Sequence, residues 1–282
     1  MPYSAEISRA NPACFLFLID QSESMKHPIG GGDVPMQKAE AVADAVNRLL
    51  SELSIKCAKE DGVRDYFHVG VLGYGASVRP IFDGRLAGRD LVPLSEVAAQ
   101  PARIEERERP VSGRGGRATT ATRQAVKVPT WFSPVAYGDT PMCGAFDKAR
   151  SILASWLADH PGAFPPIVLN ITDGESTDGD PSGAAEALRN LTSTDGHVLL
   201  FNLHLSSDHS DPVVFSAVEQ HLPDDYARRL FRMSSPLPED MRNAARRHDL
   251  SLPEGARGFA FNADISSVVR FLDVGTQVMD LR

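Results

Sequence analysis

Phe15-Leu16-Phe17-Leu18-Ile19-Asp20-Gln21-Ser22-Glu23-Ser24-Met25 is the stretch on which the reading of this chain turns. Its apolar half, rich in Phe, Leu and Ile, predicts a strand buried on both faces. Asp20 then stands at the carboxyl end of that strand, where open α/β sheets place their binding crevices. Asp-x-Ser-x-Ser offers one charged and two neutral oxygens in a tight turn, a donor set suited to a hard divalent cation such as Mg²⁺. The same residues also suit an ordinary strand-ending turn, with Asp20 capping local N–H groups and the serines filling turn positions.

Working outward, Pro35-Met36 opens a long amphipathic pattern. Ala39, Val42, Ala43, Val46, Leu49, Leu50 and Leu53 recur at helical spacing, with Lys38, Glu40, Asp44, Arg48 and Glu52 on the other side. Residues 66–74 and 77–82 read as two strands of a hairpin across a Gly-Ala turn. A helix is expected over Pro141–His160, with Pro in its first turn. Strands are expected at Pro166–Thr172, Val198–Leu205 and Gly258–Phe261, and helices at Ser182–Leu191, Asp224–Phe231, Glu239–Arg247 and Ile265–Met279. Strands alternating with helices imply a doubly wound, mainly parallel sheet flanked by helices, with one antiparallel edge strand. We read residues 1–282 as a single domain. Residues 83–138, rich in Arg, Pro, Gly and Thr, form a long insertion that must contain local structure or serve a function. Within it, residues 125–134 are apolar enough to fold back onto the body.

The 282 residues carry a formal charge of −8, with a pI near 5.5. That balance disfavours a general nucleic-acid or anionic-membrane binder. Cys14, Cys57 and Cys143 are scattered, without zinc spacing, and read as reduced packing residues. The eight histidines form no metal-spaced pair; His68 and His204 fall in strand patterns and are expected to be packed or hydrogen-bonded there. Met1–Glu6 does not read as the basic region of a signal peptide, and the apolar run of the first strand is too short to span a bilayer. A cytoplasmic location is the expectation.

Two central strands thus end in aspartates, Asp20 and Asp173 of Ile171-Thr172-Asp173-Gly174, and neighbouring strands would bring both carboxylates to one crevice. Thr140 of Gly138-Asp139-Thr140-Pro141-Met142 reaches the same edge, its hydroxyl facing the crevice or capping the following helix. Asp20, Ser22, Ser24, Thr140 and Asp173 would then supply oxygens to one Mg²⁺. Mostly neutral ligands under-neutralise a dication, so the site should attract an outside carboxylate. Glu23 is expected to face solvent. Asp139 either adds charge near the ion or holds a turn.

The three segments together resemble the metal-ion-dependent adhesion site of von Willebrand factor A domains. Asp20, Ser22 and Ser24 match the DxSxS motif of that family, Thr140 its distal threonine and Asp173 its distal aspartate. The resemblance follows the element order from about residue 13 to 279. It implies a non-catalytic protein-binding module in which Mg²⁺, or Mn²⁺ or Ca²⁺, is completed by a partner's Asp or Glu. It further implies serine and threonine hydroxyls on the metal, with the aspartates often acting through water. Ile171–Asp178 is similar to intracellular bacterial members, including those linked to tellurium resistance. A kinase, phosphatase or ATPase of the same signalling, stress or defence assembly is then the expected partner. Residues 83–138 run longer than the family's usual path, so partner specificity there does not transfer.

Two other functional classes fit the sequence less well. A metal-dependent phosphatase of the haloacid-dehalogenase type needs a second carboxylate two residues after the first, where this chain has Ser22. No G-x-S-x-G elbow, P-loop or G-x-G-x-x-G is present. Arg114, Arg117, Arg123 and Lys127 of the insertion would either bind an acidic partner or nucleic acid without metal, or form an ordinary solvated loop, the reading the mixed charges favour.

Overall fold

β1 (Ala13–Asp20) is buried from end to end. Phe15, Phe17 and Ile19 enter the core on one face of the sheet, and Cys14, Leu16 and Leu18 the core on the other, as the two-residue alternation of a strand requires. The structure, a computed structural model, describes residues 3–29, 36–110, 123–205, 213–220, 222–247 and 252–263. The helix expected at Ile265–Met279 lies outside these residues, as do Arg114 and Arg117.

After a 3-10 turn at Glu23–Lys26, α1 (Lys38–Lys56) leads through the short hairpin β2 (Ala58–Lys59) and β3 (Gly62–Val63) to β4 (Phe67–Tyr74) and β5 (Val78–Pro80). Next come β6 (Val92–Pro93), α2 (Leu94–Ala99) and the hairpin β7 (Arg103–Pro110) and β8 (Arg123–Thr130). α3 (Met142–Asp159), β9 (Ile167–Thr172) and α4 (Ser182–Arg189) follow, then the hairpin β10 (Thr192–Ser193) and β11 (Gly196–His197). β12 (Leu199–Leu205), β13 (Val213–Val214), α5 (Asp225–Met233), α6 (Glu239–Arg247) and β14 (Phe259–Ala263) complete the described chain.

One sheet runs β13-β14-β12-β9-β1-β4-β5, with β6 also paired to β4. The four ladders from β14 to β4 are parallel. Antiparallel pairing occurs at both margins: β5 and β6 on β4, and β13 on β14. The expectation of one antiparallel edge strand was therefore too sparse. β6 and β13 are two residues each, too short to show period-two alternation in sequence.

α1, α2 and α6 bury Val42, Val46, Leu50, Leu94, Val97 and Met241 on one face, whereas α3, α4 and α5 bury Phe146, Leu153, Leu188 and Leu230 on the other. From β1 the chain passes through α1 to β4 on one side; it later returns through α3 to β9 on the other. The strand order thus reverses between β1 and β9, the position at which doubly wound sheets open a crevice beyond their carboxyl ends.

The described parts of the insertion, residues 83–110 and 123–138, are built into this body. They supply β6 to the sheet and α2 to the core, and they return through Trp131 and Phe132, both buried. Asn47 of α1 fastens that return. Its Oδ1 accepts from the Trp131 N–H at 2.8 Å, and its Nδ2 donates to the Phe132 carbonyl at 3.1 Å. The Trp131 indole donates to the Val97 carbonyl at 2.6 Å, as a buried indole N–H must. His68 in β4 accepts from the Trp156 indole at 2.8 Å, and His204 in β12 stacks on Phe261.

Candidate metal centre

Asp20 ends β1 beside Tyr74 of β4, with Thr172 of β9 on its other flank. Its carboxylate is fully buried. One oxygen accepts from the Ser22 N–H at 2.8 Å and the other from the Thr172 hydroxyl at 2.7 Å. The turn then brings Ser22 Oγ within 3.0 Å of Ser24 Oγ, and Ser24 Oγ donates to Asp173 Oδ1 at 2.7 Å. Asp20, Ser22, Ser24 and Asp173 therefore face one another across the carboxyl ends of β1 and β9.

Thr140 joins them through the loop before α3. Tyr137 N–H donates to Gln21 O at 2.6 Å, and Glu23 N–H donates to Gly138 O at 3.0 Å. Gly138 is required here: its φ is +100°, and a Cβ would lie 2.4 Å from Ala76 N. Thr140 is buried, and its backbone pairs both ways with Thr177, N–H to Oγ1 and carbonyl to N–H, each at 3.0 Å. A Cβ placed on Gly174 would sit 3.8 Å from Thr140 Oγ1 and 3.9 Å from Ser24 Oγ. Gly174 thus leaves a space flanked by these two hydroxyls.

The structure overturns the capping role considered for Thr140. The cap position of α3 is Pro141, and no side chain of that residue caps the helix. Asp178 does so from another loop, accepting from Cys143 N–H at 3.0 Å and Gly144 N–H at 2.9 Å. Partial burial opposes ionisation of Asp178, but the Gly144 and Cys143 N–H groups and the Ser176 hydroxyl outweigh it and hold its carboxyl below the ordinary range. A depressed carboxyl contributes stability above its unfolded pKa and loses it as pH falls through the folded value. Asp178→Ala is expected to cost about 1 kcal/mol at neutral pH, with the difference fading in acid; urea unfolding at the two pH values measures it.

Asp20 is shifted the other way. Burial raises its pKa from 3.8 to about 6, reinforced by the Asp173 charge and opposed by hydrogen bonds from Ser22 and Thr172. Asp20 thus ends its strand and is fully buried there. Tyr74, beside it, is raised well above the usual phenol range by burial and by the Asp20 charge. Tyr226 of α5 covers the same region, its hydroxyl donating to the Gly174 carbonyl.

No protein-family model matches the chain, and no curated protein matches it. Solved structures give a likeness. It is to von Willebrand factor type A domains. A von Willebrand factor type A protein from Catenulispora acidiphila superposes with a TM-score of 0.47 at 14% identity, over 95% of this chain and 43% of that one. The ArnB paralog VWA2 from Sulfolobus acidocaldarius gives 0.36 at 13%, over 69% and 35%. The vWF domain of the type V pili tip protein Mfa5 from Porphyromonas gingivalis gives 0.32 at 16%, over 59% and 39%. The chain spans less than half the length of these solved chains.

The donor set fits a hard cation. It consists entirely of oxygens, two carboxylates and three hydroxyls, and among the described residues no cluster of three His, Cys, Asp or Glu competes with it. Adjacent oxygens of an Mg²⁺ octahedron lie about 2.9 Å apart, given ligand distances of about 2.05 Å; the Ser22–Ser24 and Ser24–Asp173 separations are 3.0 and 2.7 Å. Glu23 points outward and pairs with Lys26, and Asp139 is exposed.

One residue of the site was missed. Lys38, placed by periodicity on the outer side of α1, is buried, and its ammonium donates to Asp173 Oδ2 at 2.9 Å. Pro28 and Gln37 bridge antiparallel, and Lys38 N–H donates to His27 O, so the chain leaving the Asp-x-Ser-x-Ser turn returns beside it. The available signal was a lysine at the first position of a helix, where the macrodipole disfavours a cation.

Proposed function

We propose that the chain is a divalent-metal-dependent protein-binding module of the von Willebrand factor A type, in which the metal is completed by a partner's Asp or Glu. The observation that supports this is the hydrogen-bonded set Asp20–Ser22–Ser24–Asp173, with the Thr140 hydroxyl facing the same space at the switch point of the sheet. Ser22, Ser24 and Thr140 would hold Mg²⁺ by their hydroxyls, and Asp20 and Asp173 would supply its counter-charge. When bound, the metal offers a cationic acceptor for an external carboxylate.

The module acts without catalysis: Ser22 stands where phosphate-transferring relatives of this sheet need a second acid. Its setting is a bacterial cytoplasmic signalling, stress or defence assembly, and the partner a kinase, phosphatase or ATPase bearing an exposed acidic residue. Among the described residues no helix is long and apolar enough to cross a membrane.

Titration of Mg²⁺ into the purified, EDTA-stripped chain is expected to give one site, and an acidic partner should bind in Mg²⁺ and dissociate in EDTA. Partner affinity that is equal in Mg²⁺ and EDTA would rule the reading out.

A further inference from the structure

Lys38 lies where a cation is least expected. It is the first residue of α1, at the helix end that favours anions, and its side chain is 6% exposed. A buried ammonium is costly unless it is paired. Asp173, whose side chain is 1% exposed, is the carboxylate that the described ion pairs give it.

The two oxygens of Asp173 are divided between two tasks. Oδ1 accepts from Ser24 and so faces the hydroxyl set, while Oδ2 accepts from Lys38. The charges follow. Asp20 and Asp173 bring two negative charges and Lys38 one positive, so the site without metal carries one net negative charge. A bound dication turns this into one net positive charge, whereas without Lys38 the loaded site would be neutral. Burial of the pair limits solvent screening, so the ammonium is felt by any ion bound at Ser24 and Asp173.

We infer that Lys38 is the residue that makes this site depend on an outside carboxylate: its ammonium weakens metal binding and leaves the loaded site one charge positive. This rests on the metal-site reading given above. It assigns Lys38 a positioning and charge-setting role without contact to the metal. A metal ion alone binds weakly, and a carboxylate arriving with the partner restores neutrality, so the site stays largely empty until a partner is present.

The experiment compares Mn²⁺ affinity of the full chain and of Lys38→Met by calorimetry, each with and without acetate as the carboxylate probe. Lys38→Met is expected to bind Mn²⁺ at least about tenfold more tightly, since repulsion between a dication and an ammonium a few ångströms apart has this scale even under full water screening and is larger for a buried pair. Acetate should tighten Mn²⁺ binding by the unmodified chain severalfold and leave Lys38→Met nearly unchanged. A purely structural lysine would instead loosen metal and acetate binding together. Equal or weaker Mn²⁺ binding by a folded Lys38→Met overturns the role of Lys38 alone. Absence of Mn²⁺ binding by every form overturns the metal site itself, which is a separate result. Thermal melting checks the fold; should Lys38→Met not fold, Lys38→Gln, which keeps a neutral N–H donor on a side chain one bond shorter, is expected to show the same tightening.

Discussion

Asp20→Asn is expected to abolish metal binding and, in the same protein, to stabilise the metal-free fold at neutral pH. Burial raises the Asp20 pKa from 3.8 to about 6. A raised carboxyl contributes its stability below the unfolded pKa and loses it as pH climbs through the folded value. Above pH 6 the ionised, buried Asp20 therefore costs the fold about 3 kcal/mol, an upper figure from about two pH units at 1.36 kcal/mol each. An asparagine escapes that cost. Its Oδ1 can still accept from the Ser22 N–H, and its amide can donate to Thr172 Oγ1 once the Thr172 hydroxyl turns to the Gly174 carbonyl, 3.1 Å away. The gain should shrink to nothing as pH falls from 6 towards 4. Urea unfolding in EDTA at pH 8 and pH 4 measures it, and calorimetry with Mg²⁺ measures the loss of binding. A variant less stable than the unmodified chain at pH 8 would show that Asp20 is not held under strain for a ligand.

That opposition between stability and binding is what a site residue produces, and it explains how much of this protein could be read before its structure. The apolar run Phe15–Ile19, the helical spacing of Val42, Val46 and Leu50, and the strand Ile167–Thr172 each bury residues at the period their element demands. Which loops meet follows from strand order, which periodicity leaves open. β1 and β9 are neighbours, so Asp20 and Asp173 share a crevice; Thr140 reaches it because Gly138 permits the loop to pass Ala76.

What periodicity does not report is a polar side chain turned against the pattern. Lys38 and Asn47 sit at buried positions of a helix whose apolar stripe accounts for its amphipathic signal. They are polar there because they answer distant groups, Asp173 and the Trp131–Phe132 backbone. The cap of α3 is hidden from sequence for the same reason. A sequence scan looks for the capping residue just before the helix, whereas the N–H groups of Cys143 and Gly144 are met by Asp178, about 35 residues later. β6 likewise gives no local signal, since Val92 and Pro93 become a strand only by lying against β4.

The largest expected loss of stability comes from Asn170→Leu, because Asn170 is the middle link of a polar chain through the core. The Tyr74 hydroxyl donates to Asn170 Oδ1 at 2.7 Å, and Asn170 Nδ2 donates to Asn202 Oδ1 at 3.0 Å. Asn202 Nδ2 donates to Ser234 Oγ at 3.0 Å, and Ser234 Oγ to the Leu230 carbonyl at 2.8 Å. Asn170 and Asn202 are completely buried and lie opposite each other in the β9–β12 ladder. Leucine keeps the volume but strands two groups: Tyr74 is left with a 3.4 Å contact to the Ile171 carbonyl, and Asn202 Oδ1 loses its donor. Each stranded buried group costs about 1–3 kcal/mol, so the variant should lose about 2–6 kcal/mol. Adding Tyr74→Phe removes one of the two stranded groups, so the double variant should recover part of the loss, since deleting both partners costs less than deleting one. A single-variant loss below about 1 kcal/mol in urea unfolding would mean the chain of hydrogen bonds adds little. Asn170 takes no part in the set Asp20, Ser22, Ser24, Thr140 and Asp173. Mg²⁺ affinity of the folded Asn170→Leu protein should therefore match the unmodified chain, separating what holds the sheet together from what its edge is built to bind.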